Sequence, residues 1–360
     1  MAIYEKKQAR PAPVNTKSAT YWIRENLFSS LPNSILTILS FTLILYILPP
    51  LLNWLIFDAT WSGTKDEITG DGARWIFIYE KFNQFIYGFY PEEQYWRPNL
   101  IIGIFILFVI LFKKIRNAKF RISLIVLFPI ISFILLHGGL GLEIIPTQKW
   151  GGLMLTVVVA SVGIFVSFPI GIMFALGRQS NMPIIRTISV IYIEFIRGVP
   201  LITLLFMSSV ILPLFFPEGM NFDKLLRALI GITLFQAAYI AEVIRGGLQA
   251  IPKGQYEAAD SIGLSYWQAM SLIILPQALK ISIPNIVGAF ISLFKDTTLV
   301  LIIGLFDLLA MVTLTATDAN WLGFETEGYV FVTFIYWIIC FSMSKYAKTV
   351  ENRFNTNHRE

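Results

Sequence analysis

The chain has 360 residues, of which 56% are hydrophobic and only 14% are charged. Soluble domains carry about 25% charged residues, so this chain cannot cover a water-facing surface and its solvent must be lipid. The net charge of +5 does not indicate a nucleic-acid partner, because the basic residues cluster in short segments between apolar runs, as membrane topology requires. No P-loop pattern is present, which leaves the chain with no visible means of binding ATP itself.

The residues that usually carry catalysis or bind metals occur in no useful pattern. His137 and His358 lack metal-ligand spacing, and no Ser–His–Asp set suggests hydrolysis, so neither a metal site nor a catalytic residue is predicted. Cys340 is the single cysteine, which excludes an internal disulfide. The first 32 residues are basic and polar without a short apolar core, so no cleavable signal peptide is expected.

Apolar runs long enough to cross a bilayer, which takes about 20 residues, indicate an all-α membrane protein with about eight transmembrane helices. The predicted spans are 34–57, 98–112, 122–137, 152–176, 184–213, 225–248, 283–311 and 327–344. Nineteen lysines and arginines fall on one side of these spans and seven on the other, and the side richer in positive charge is expected to be cytoplasmic. Both termini are therefore predicted to lie in the cytoplasm.

The outer segment 58–97 is rich in aromatic residues, including Trp61, Trp75 and Trp96. Aromatic rings favour the lipid–water boundary, so one interpretation places this segment along the membrane surface. The other interpretation is a small folded extracytoplasmic lobe, and the sequence favours neither.

Ionisable side chains inside spans are costly unless they are paired or hydrated, so each is a functional hypothesis. Glu194 and Arg197 are three residues apart, share a helical face and fall near mid-bilayer by counting along a straight helix, just before Pro200. They are equally consistent with a path for a solute and with an internal strut. Glu242 and Arg245, close to the cytoplasmic interface, are more typical of a strut.

Residues 254–276 are the most informative segment between spans. Gly263 is suited to the left-handed conformation that closes one short helix. Ser265, with Gln268 three residues later, is a capping box that begins a second. Pro276 is expected to limit this second helix before the next span.

One face of the first short helix is expected to carry Ala258, Ala259 and Ile262. Small side chains on such a face allow another surface to approach closely. The pattern therefore favours a helical knob that docks on a partner over a plain loop that returns the chain to the membrane.

The remaining polar residues inside the predicted spans are Gln236, Tyr239, Lys295, Asp296, Thr297 and Thr298. The Lys295–Asp296 pair is interpreted slightly more readily as a strut, with the two threonine hydroxyls lining a path. Asp307 is expected near the outer interface rather than buried.

Seven positions in the loop resemble the EAA loop of binding-protein-dependent ABC importer permeases. They are Glu257, Ala258, Ala259, Gly263, Ile273, Leu275 and Pro276. In that family the loop is the coupling helix, which sits in a cleft of the ATP-binding subunit. The resemblance implies that Gly254 and these residues, Ile273 apart, couple the chain to its ATPase, with Glu257 as the polar anchor and Gly263 as the bend.

Segments 194–200, 238–247 and 295–299 resemble the polar amino-acid branch of these permeases, which includes histidine, glutamate, glutamine, arginine and opine importers. The additional N-terminal spans and the aromatic outer segment are similar to the M-type permease of the general L-amino-acid transporter. The resemblance implies four parts, which are a cytoplasmic segment 1–32, a three-helix extension 33–149, a MetI-like permease core 150–348 formed by the last five spans, and a cytoplasmic tail 349–360.

The resemblance also implies the partners. They are an ABC ATP-binding subunit that holds ATP and Mg, a second homologous permease that completes a heterodimer, and a periplasmic amino-acid-binding protein. No cofactor is expected on this chain, and its setting is the lipid of a bacterial inner membrane. Because an amino acid carries a carboxylate and an ammonium, Glu194, Arg197, Lys295 and Asp296 are candidates to bind it, with Gln236, Tyr239, Thr297 and Thr298 beside them.

Two other classes of function stay open from the residues alone. One is an ion-coupled secondary amino-acid transporter that acts alone and uses the intramembrane carboxylates. The other is a membrane-bound interaction or sensory subunit with no transport path.

Overall fold

A computed structural model describes residues 18–62, 71–115, 117–217 and 222–355, and for 353–355 it describes the backbone alone. The chain forms two compact units, Met1–Ile76 and Phe77–Glu360. Several basic residues that predict the orientation lie outside the described residues, as does His358. These basic residues are Lys6, Lys7, Arg10, Lys17, Lys65, Arg116 and Arg359.

Helices account for nearly all of the described secondary structure. In chain order they are α1 (Ala19–Leu27), α2 (Leu31–Leu52), α3 (Ile76–Tyr87), α4 (Trp96–Lys114), α5 (Ala118–His137), α6 (Gly152–Arg178), α7 (Pro183–Gly198), α8 (Leu201–Phe206), α9 (Lys224–Gln249), α10 (Lys253–Ser261), α11 (Tyr266–Ala269), α12 (Leu275–Asp296), α13 (Leu308–Ala316) and α14 (Glu325–Asn355).

Seven helical stretches within the described residues are long and apolar enough to cross a membrane, and a bent pair brings the number to eight. The seven are Leu31–Phe57, Glu92–Lys114, Ala118–His137, Gly152–Arg178, Lys224–Gln249, Tyr266–Ile303 and Glu325–Asn352. The predicted fold class, an all-α membrane protein with about eight spans, is confirmed.

The predicted span 184–213 is two helical pieces, Pro183–Gly198 and Leu201–Phe215, that meet at 106°. Val199 between them is extended, with φ of −107° and ψ of 134°. A residue before proline is driven from the helical to the extended region by the proline ring, and Pro200 follows here. Glu194 and Arg197 both lie in the first piece, just before the bend.

The helix that contains the seventh span begins before the predicted bounds of that span, because Pro276 does not end the helix that starts at Tyr266. A π-turn at Met270–Ile274 precedes it, and Pro276 falls in the first turn of α12, where its missing N–H is least costly. The resulting helix of 38 residues is ~57 Å long at 1.5 Å per residue. Since hydrocarbon cores are about 30 Å thick, a large part of this helix must extend beyond the apolar layer.

Asp307 is fully buried inside the protein, which corrects the expectation that it is not buried. Gly304 ends the preceding helix in the left-handed conformation, and Asp307 then pairs with Gly152 at the start of α6. Its carboxylate accepts hydrogen bonds from the Ala310 backbone N–H at 3.0 Å and the Tyr336 hydroxyl at 3.1 Å. Burial raises the pKa of the Asp307 carboxyl above its usual value. The local sequence could not reveal this long-range burial.

The part of the aromatic outer segment from Phe77 onward is folded against the rest of its unit. Phe77 is fully buried, with its ring 5.3 Å from that of Trp321 and 5.7 Å from that of Phe324. Behind α3, the backbone of Gly88 lies so close to Gly151 that a Cβ on Gly88 would stand 2.3 Å from the Gly151 Cα. Of the two interpretations of this segment, the folded one is favoured.

The centre of the larger unit is the contact between α6 and α9, with α12 against both. Glycines on α6 allow the backbones of α6 and α9 to approach closely. A Cβ on Gly163 would lie 2.9 Å from Cγ2 of Ile232, and a Cβ on Gly171 would lie 2.6 Å from Cγ2 of Ile240. Small residues let membrane helices approach closely and gain dispersion contacts, which must replace the hydrophobic driving force that lipid removes.

The substitution Gly171→Leu should lower the stability of the solubilised protein. Overpacking a filled contact costs about 1–3 kcal/mol, and the added side chain has no space between α6 and α9. The melting temperature in detergent, followed by size-exclusion chromatography, measures this loss. Gly103→Leu on α4 is the matched control, because nothing lies within 4 Å of a Cβ at that position. Equal melting temperatures for the two variants would contradict the packing argument.

Candidate functional site

The loop between α9 and α12 closes its first helix as the sequence predicts. Gly263 has φ of 74°, in the left-handed region, and a side chain at this position would strain the backbone. The Leu264 N–H then donates to the Ala259 carbonyl at 3.2 Å, the long hydrogen bond of a Schellman ending. The chain reverses here and leaves α10 as a separate short helix.

The second helical piece begins at the predicted cap. The Ser265 backbone N–H donates to Oε1 of Gln268 at 2.9 Å, and the Ser265 hydroxyl donates to the same oxygen. The Gln268 side chain thus satisfies an N–H that the helix itself leaves unpaired.

Short connections fasten the loop to the helices on either side of it. Three residues, 250–252, separate α9 from α10. The Tyr256 hydroxyl donates to the Leu248 carbonyl at 3.5 Å, and the Gln277 amide donates to Oε1 of Gln255 at 3.0 Å. A force applied to α10 is therefore passed to the end of α9 and the start of α12.

The exposed face of α10 differs from the predicted one. Ala259 is fully buried, whereas Ile262 is 70% exposed and Ala258 is also exposed. Successive residues of a helix are 100° apart, so Ala258 and Ala259 cannot both lie at the centre of one exposed face. The residues that share the exposed face are Gly254, Glu257, Ala258 and Ser261.

Leu275 and Pro276 are set apart from that face. Both lie at the start of α12, where Leu275 packs against the core cluster that contains Ile244 and Met270. The residues that resemble the EAA loop are therefore of two kinds, those on the exposed surface of α10 and those that hold the loop to the core.

A cluster of five charged side chains joins α6, α7 and α9. Nη1 of Arg178 lies 2.7 Å from Oε1 of Glu194 and 3.4 Å from Oε2 of Glu242. The same Glu242 carboxylate is 2.5 Å from Arg245 and 3.8 Å from Arg197. Three guanidinium groups thus surround one carboxylate, and the cluster carries one excess positive charge.

Of the two interpretations of Glu194 and Arg197, the strut would need these two side chains to pair, but the Glu194 carboxylate lies against Arg178 instead. Spacing along one helix could not show this partner, which comes from the end of α6. The signal that could have found Arg178 is its position as a cation in the last turn of α6. The strut interpretation holds for Glu242 and Arg245, which do contact each other.

Arg197 has the loosest ion contact of the cluster. Its guanidinium carbon lies 5.7 Å from the centre of the Tyr239 ring, within the range of a cation–π contact. One turn earlier on α9, Gln236 is 3% exposed, and its Nε2 has no hydrogen-bond partner among the described residues. A buried amide without a partner is costly, so Gln236 indicates a position where another polar group or water is needed.

The predicted polar group 295–298 divides into two. Thr297 is buried and donates to the Phe294 carbonyl at 2.8 Å, while Thr298 donates to the Lys295 carbonyl at 3.0 Å. Both hydroxyls thus donate to backbone carbonyls of their own helical stretch. No ion pair joins Lys295 to Asp296 in the described part of the chain, so the structure shows no strut between them, and Lys295 is exposed.

Lys295 ends a stripe of polar or small residues that the sequence analysis missed. Asn285, Gly288, Ser292 and Lys295 are all exposed and recur at every turn of α12. Polar side chains within a membrane span face a water-filled path or another protein surface rather than lipid. The spacing of three and four residues was a signal available in the sequence.

In the described residues, no group of three or more His, Cys, Asp and Glu side chains is arranged to hold a metal ion.

Comparison with known proteins identifies close relatives. The family described as "Binding-protein-dependent transport system inner membrane component" matches residues 167–356. The inner membrane amino-acid ABC transporter permease protein YhdY of Escherichia coli K12 is 54% identical over 96% of both chains. The glutamate/glutamine/aspartate/asparagine transport system permease protein BztC of Rhodobacter capsulatus is 40% identical over 97% of both chains.

A solved structure matches a smaller part. The crystal structure of an amino acid ABC transporter with histidines shares 31% identity and a TM-score of 0.50, and covers 56% of this chain and 92% of its own.

The polar stripe of α12 should be reached by water. In a Cys340→Ser background, which removes the single native cysteine, Asn285→Cys and Ser292→Cys should react with a membrane-impermeant thiol reagent in everted vesicles or spheroplasts. Val287→Cys and Phe290→Cys, on another face of the same helix, are the matched controls and should react far more slowly. Equal labelling rates at all four positions would contradict a distinct hydrated face.

Glu242→Gln should destabilise the solubilised protein more than Glu194→Gln. The first change removes the acceptor shared by three guanidinium groups, and hydrogen bonds to charged groups contribute about 1.5–3 kcal/mol. The second removes one partly exposed pair, which is expected to contribute less than about 1 kcal/mol. Thermal unfolding in detergent measures the difference, and the opposite order would show that Glu242 is not the centre of the cluster.

Proposed function

The chain belongs to the family of binding-protein-dependent transport system inner membrane components, and from this membership we propose that it is the M-type permease subunit of an importer for polar amino acids. It is a permease subunit of an amino-acid ABC importer, multi-pass in the inner membrane, and a separate chain hydrolyses ATP. A lone ion-coupled carrier and a sensory subunit are set aside by this membership.

The observation that carries the coupling role is the exposed α10 face of Gly254, Glu257, Ala258 and Ser261. Its small side chains permit close contact, and Glu257 offers one anionic group to a partner. The face is carried on a helix fastened to α9 and α12, so a partner that moves α10 also moves two spans. We assign this face to the ATP-binding subunit.

The proposed assembly follows from the number of loops. A pair of ATP-binding subunits needs two coupling loops, and this chain has one. A second permease subunit therefore completes the importer, and we propose that it is a homologous chain, forming a heterodimer. A periplasmic binding protein delivers the substrate to the outer face.

The proposed substrate path combines the charged cluster with α12. Arg197 and Lys295 are cations available for carboxylates, and Glu194, with 55% of its side chain exposed, is available for an ammonium. Five further residues stay assigned to the surroundings of this path, namely Gln236, Tyr239, Asp296, Thr297 and Thr298. Two separated cations suit an amino acid with a second carboxylate in its side chain, such as the glutamate and aspartate that BztC is named for.

The M-type assignment rests on how much of the chain its relatives share. YhdY and BztC match nearly the full length, including the extension 33–149, whereas the solved transporter matches 56% of the chain. We retain the proposed division into a cytoplasmic segment 1–32, the extension, the core 150–348 and the tail 349–360, with both termini in the cytoplasm.

Gly263→Pro and Glu257→Lys should each abolish coupled ATP hydrolysis while leaving the protein in the membrane. The first prevents the left-handed turn between α10 and α11, and the second reverses the charge of the exposed face. Co-purification with the ATP-binding subunit and vanadate-sensitive uptake in vesicles measure the loss of coupling. Glu351→Lys, an exposed change on α14, is the matched control. Unaltered transport in either loop variant would refute the coupling assignment.

A further inference from the structure

The short helix α1 stands just before the first span, within the smaller unit. Three residues, 28–30, separate Leu27 at its end from Leu31 at the start of α2. Ser30 is extended, with φ of −148° and ψ of 164°, so the chain leaves the helical region between the two helices. The helix α1 is therefore separate from the span, which runs from Leu31 to Phe57.

Side chains at the start of α2 hold the connection to α1. The Thr37 hydroxyl donates to the Leu27 carbonyl at 2.7 Å, and the Asn33 amide donates to the Ser29 hydroxyl at 2.8 Å. Thr37 is ~9 Å into α2 at 1.5 Å per residue. Because its hydroxyl reaches the last residue of α1, that end of α1 lies beside the first turns of α2 and not beyond them.

This contact sets the depth of α1 in the membrane. The span of 27 residues is ~40 Å long, which exceeds the hydrocarbon core by about 10 Å. An excess divided evenly between the two sides leaves ~5 Å of helix outside the hydrocarbon at each end, so Thr37 falls close to the start of the hydrocarbon. The end of α1 is therefore held at the boundary between headgroups and acyl chains.

The side chains of α1 divide into two faces. At 100° per residue, one arc carries four apolar side chains, those of Ala19, Trp22, Ile23 and Leu27. The opposite arc carries Thr20, Tyr21, Arg24 and Glu25. The one amide in the apolar arc, that of Asn26, donates to the Trp22 carbonyl at 2.9 Å. Trp22 and Ile23 are 58% and 43% exposed, so the described part of the chain leaves the apolar face largely uncovered.

The sequence that leads into this helix is basic. Residues 1–30 hold five basic and two acidic side chains, which gives a net charge of +3. Four of the basic residues precede α1 and lie outside the described residues, namely Lys6, Lys7, Arg10 and Lys17. Basic residues close to a span attract anionic headgroups, which adds to the affinity that an apolar face has for acyl chains.

We propose that α1 lies in the lipid–water boundary, with Trp22 and Ile23 on the acyl chains and the basic segment at anionic phospholipid headgroups. Tryptophan favours this boundary, because its ring is apolar and its N–H needs a polar partner. A protein partner would have to meet the same face at the depth of the acyl chains, which the Thr37 contact fixes. Residues 19–27 then anchor the N-terminal segment to the membrane surface.

The test uses the full-length protein in nanodiscs, in a Cys340→Ser background, with one spin label at a time. A label at Ile23→Cys, on the apolar face, should be reached readily by oxygen, which concentrates in lipid, and poorly by a water-soluble nickel complex. A label at Tyr21→Cys, on the polar face, should show the reverse order. Ile38→Cys on α2 is the control for a lipid environment, because this position is exposed within the span.

The headgroup preference is measured with the label at Ile23→Cys as phosphatidylglycerol replaces phosphatidylcholine. The ratio of lipid-docked to undocked label should rise with phosphatidylglycerol. Lys6→Gln and Lys7→Gln should each lower this ratio about fivefold, the factor expected for one basic residue at an anionic surface. Lys348→Gln, an exposed change on α14, should leave it unchanged.

Equal access of the nickel complex to positions 21 and 23 would overturn the proposal, since α1 would then lie in water. Protection of position 23 from both reagents would also overturn it, because protein would then cover the apolar face. A ratio that does not respond to phosphatidylglycerol would refute the role of the basic segment. These measurements use neither ATP nor a partner subunit, so their failure is separate from a failure of the coupling assignment.

Discussion

The close approach of α6 and α9 is the constraint on which the rest of the larger unit depends. In lipid there is no hydrophobic driving force for two helices to associate, so their contact must be stabilised by dispersion between complementary surfaces. Gly163 and Gly171 provide that fit by leaving space for Ile232 and Ile240. Because α9 passes into α10 after three residues, the position of the loop 254–276 is fixed by the same contact.

The charged cluster makes a second connection between these two helices, at the end of α6. Arg178 ends α6 and reaches both Glu194 on α7 and Glu242 on α9. Within the cluster, Glu242 is used internally as the acceptor for three arginines. Arg197 and Glu194 keep exposed surface that a solute could reach. The polar stripe then gives α12 one exposed face that is suited to a hydrated path.

Local features were predictable from the sequence, and features made by distant parts of the chain were not. Gly263 and Ser265 specify their turn and cap within a few residues, so their conformations were foreseen. The apolar runs likewise located the spans, because hydrocarbon thickness fixes their length. The burial of Asp307, the partner of Glu194 and the continuation of the helix through Pro276 depend on contacts or compensating turns that no local pattern encodes. The inward position of Ala259 belongs to the same group.

The central claim is that α6, α9 and the loop move as one body when the ATP-binding subunits close. Spin labels at Met173→Cys on α6 and Asp260→Cys on α10, in a Cys340→Ser background, report this by pulsed dipolar spectroscopy of the reconstituted importer. The account predicts that ATP shortens the distance from position 260 to the loop of the second permease subunit, while the distance from 173 to 260 is unchanged. A change in the 173–260 distance as large as that between the two loops would contradict it.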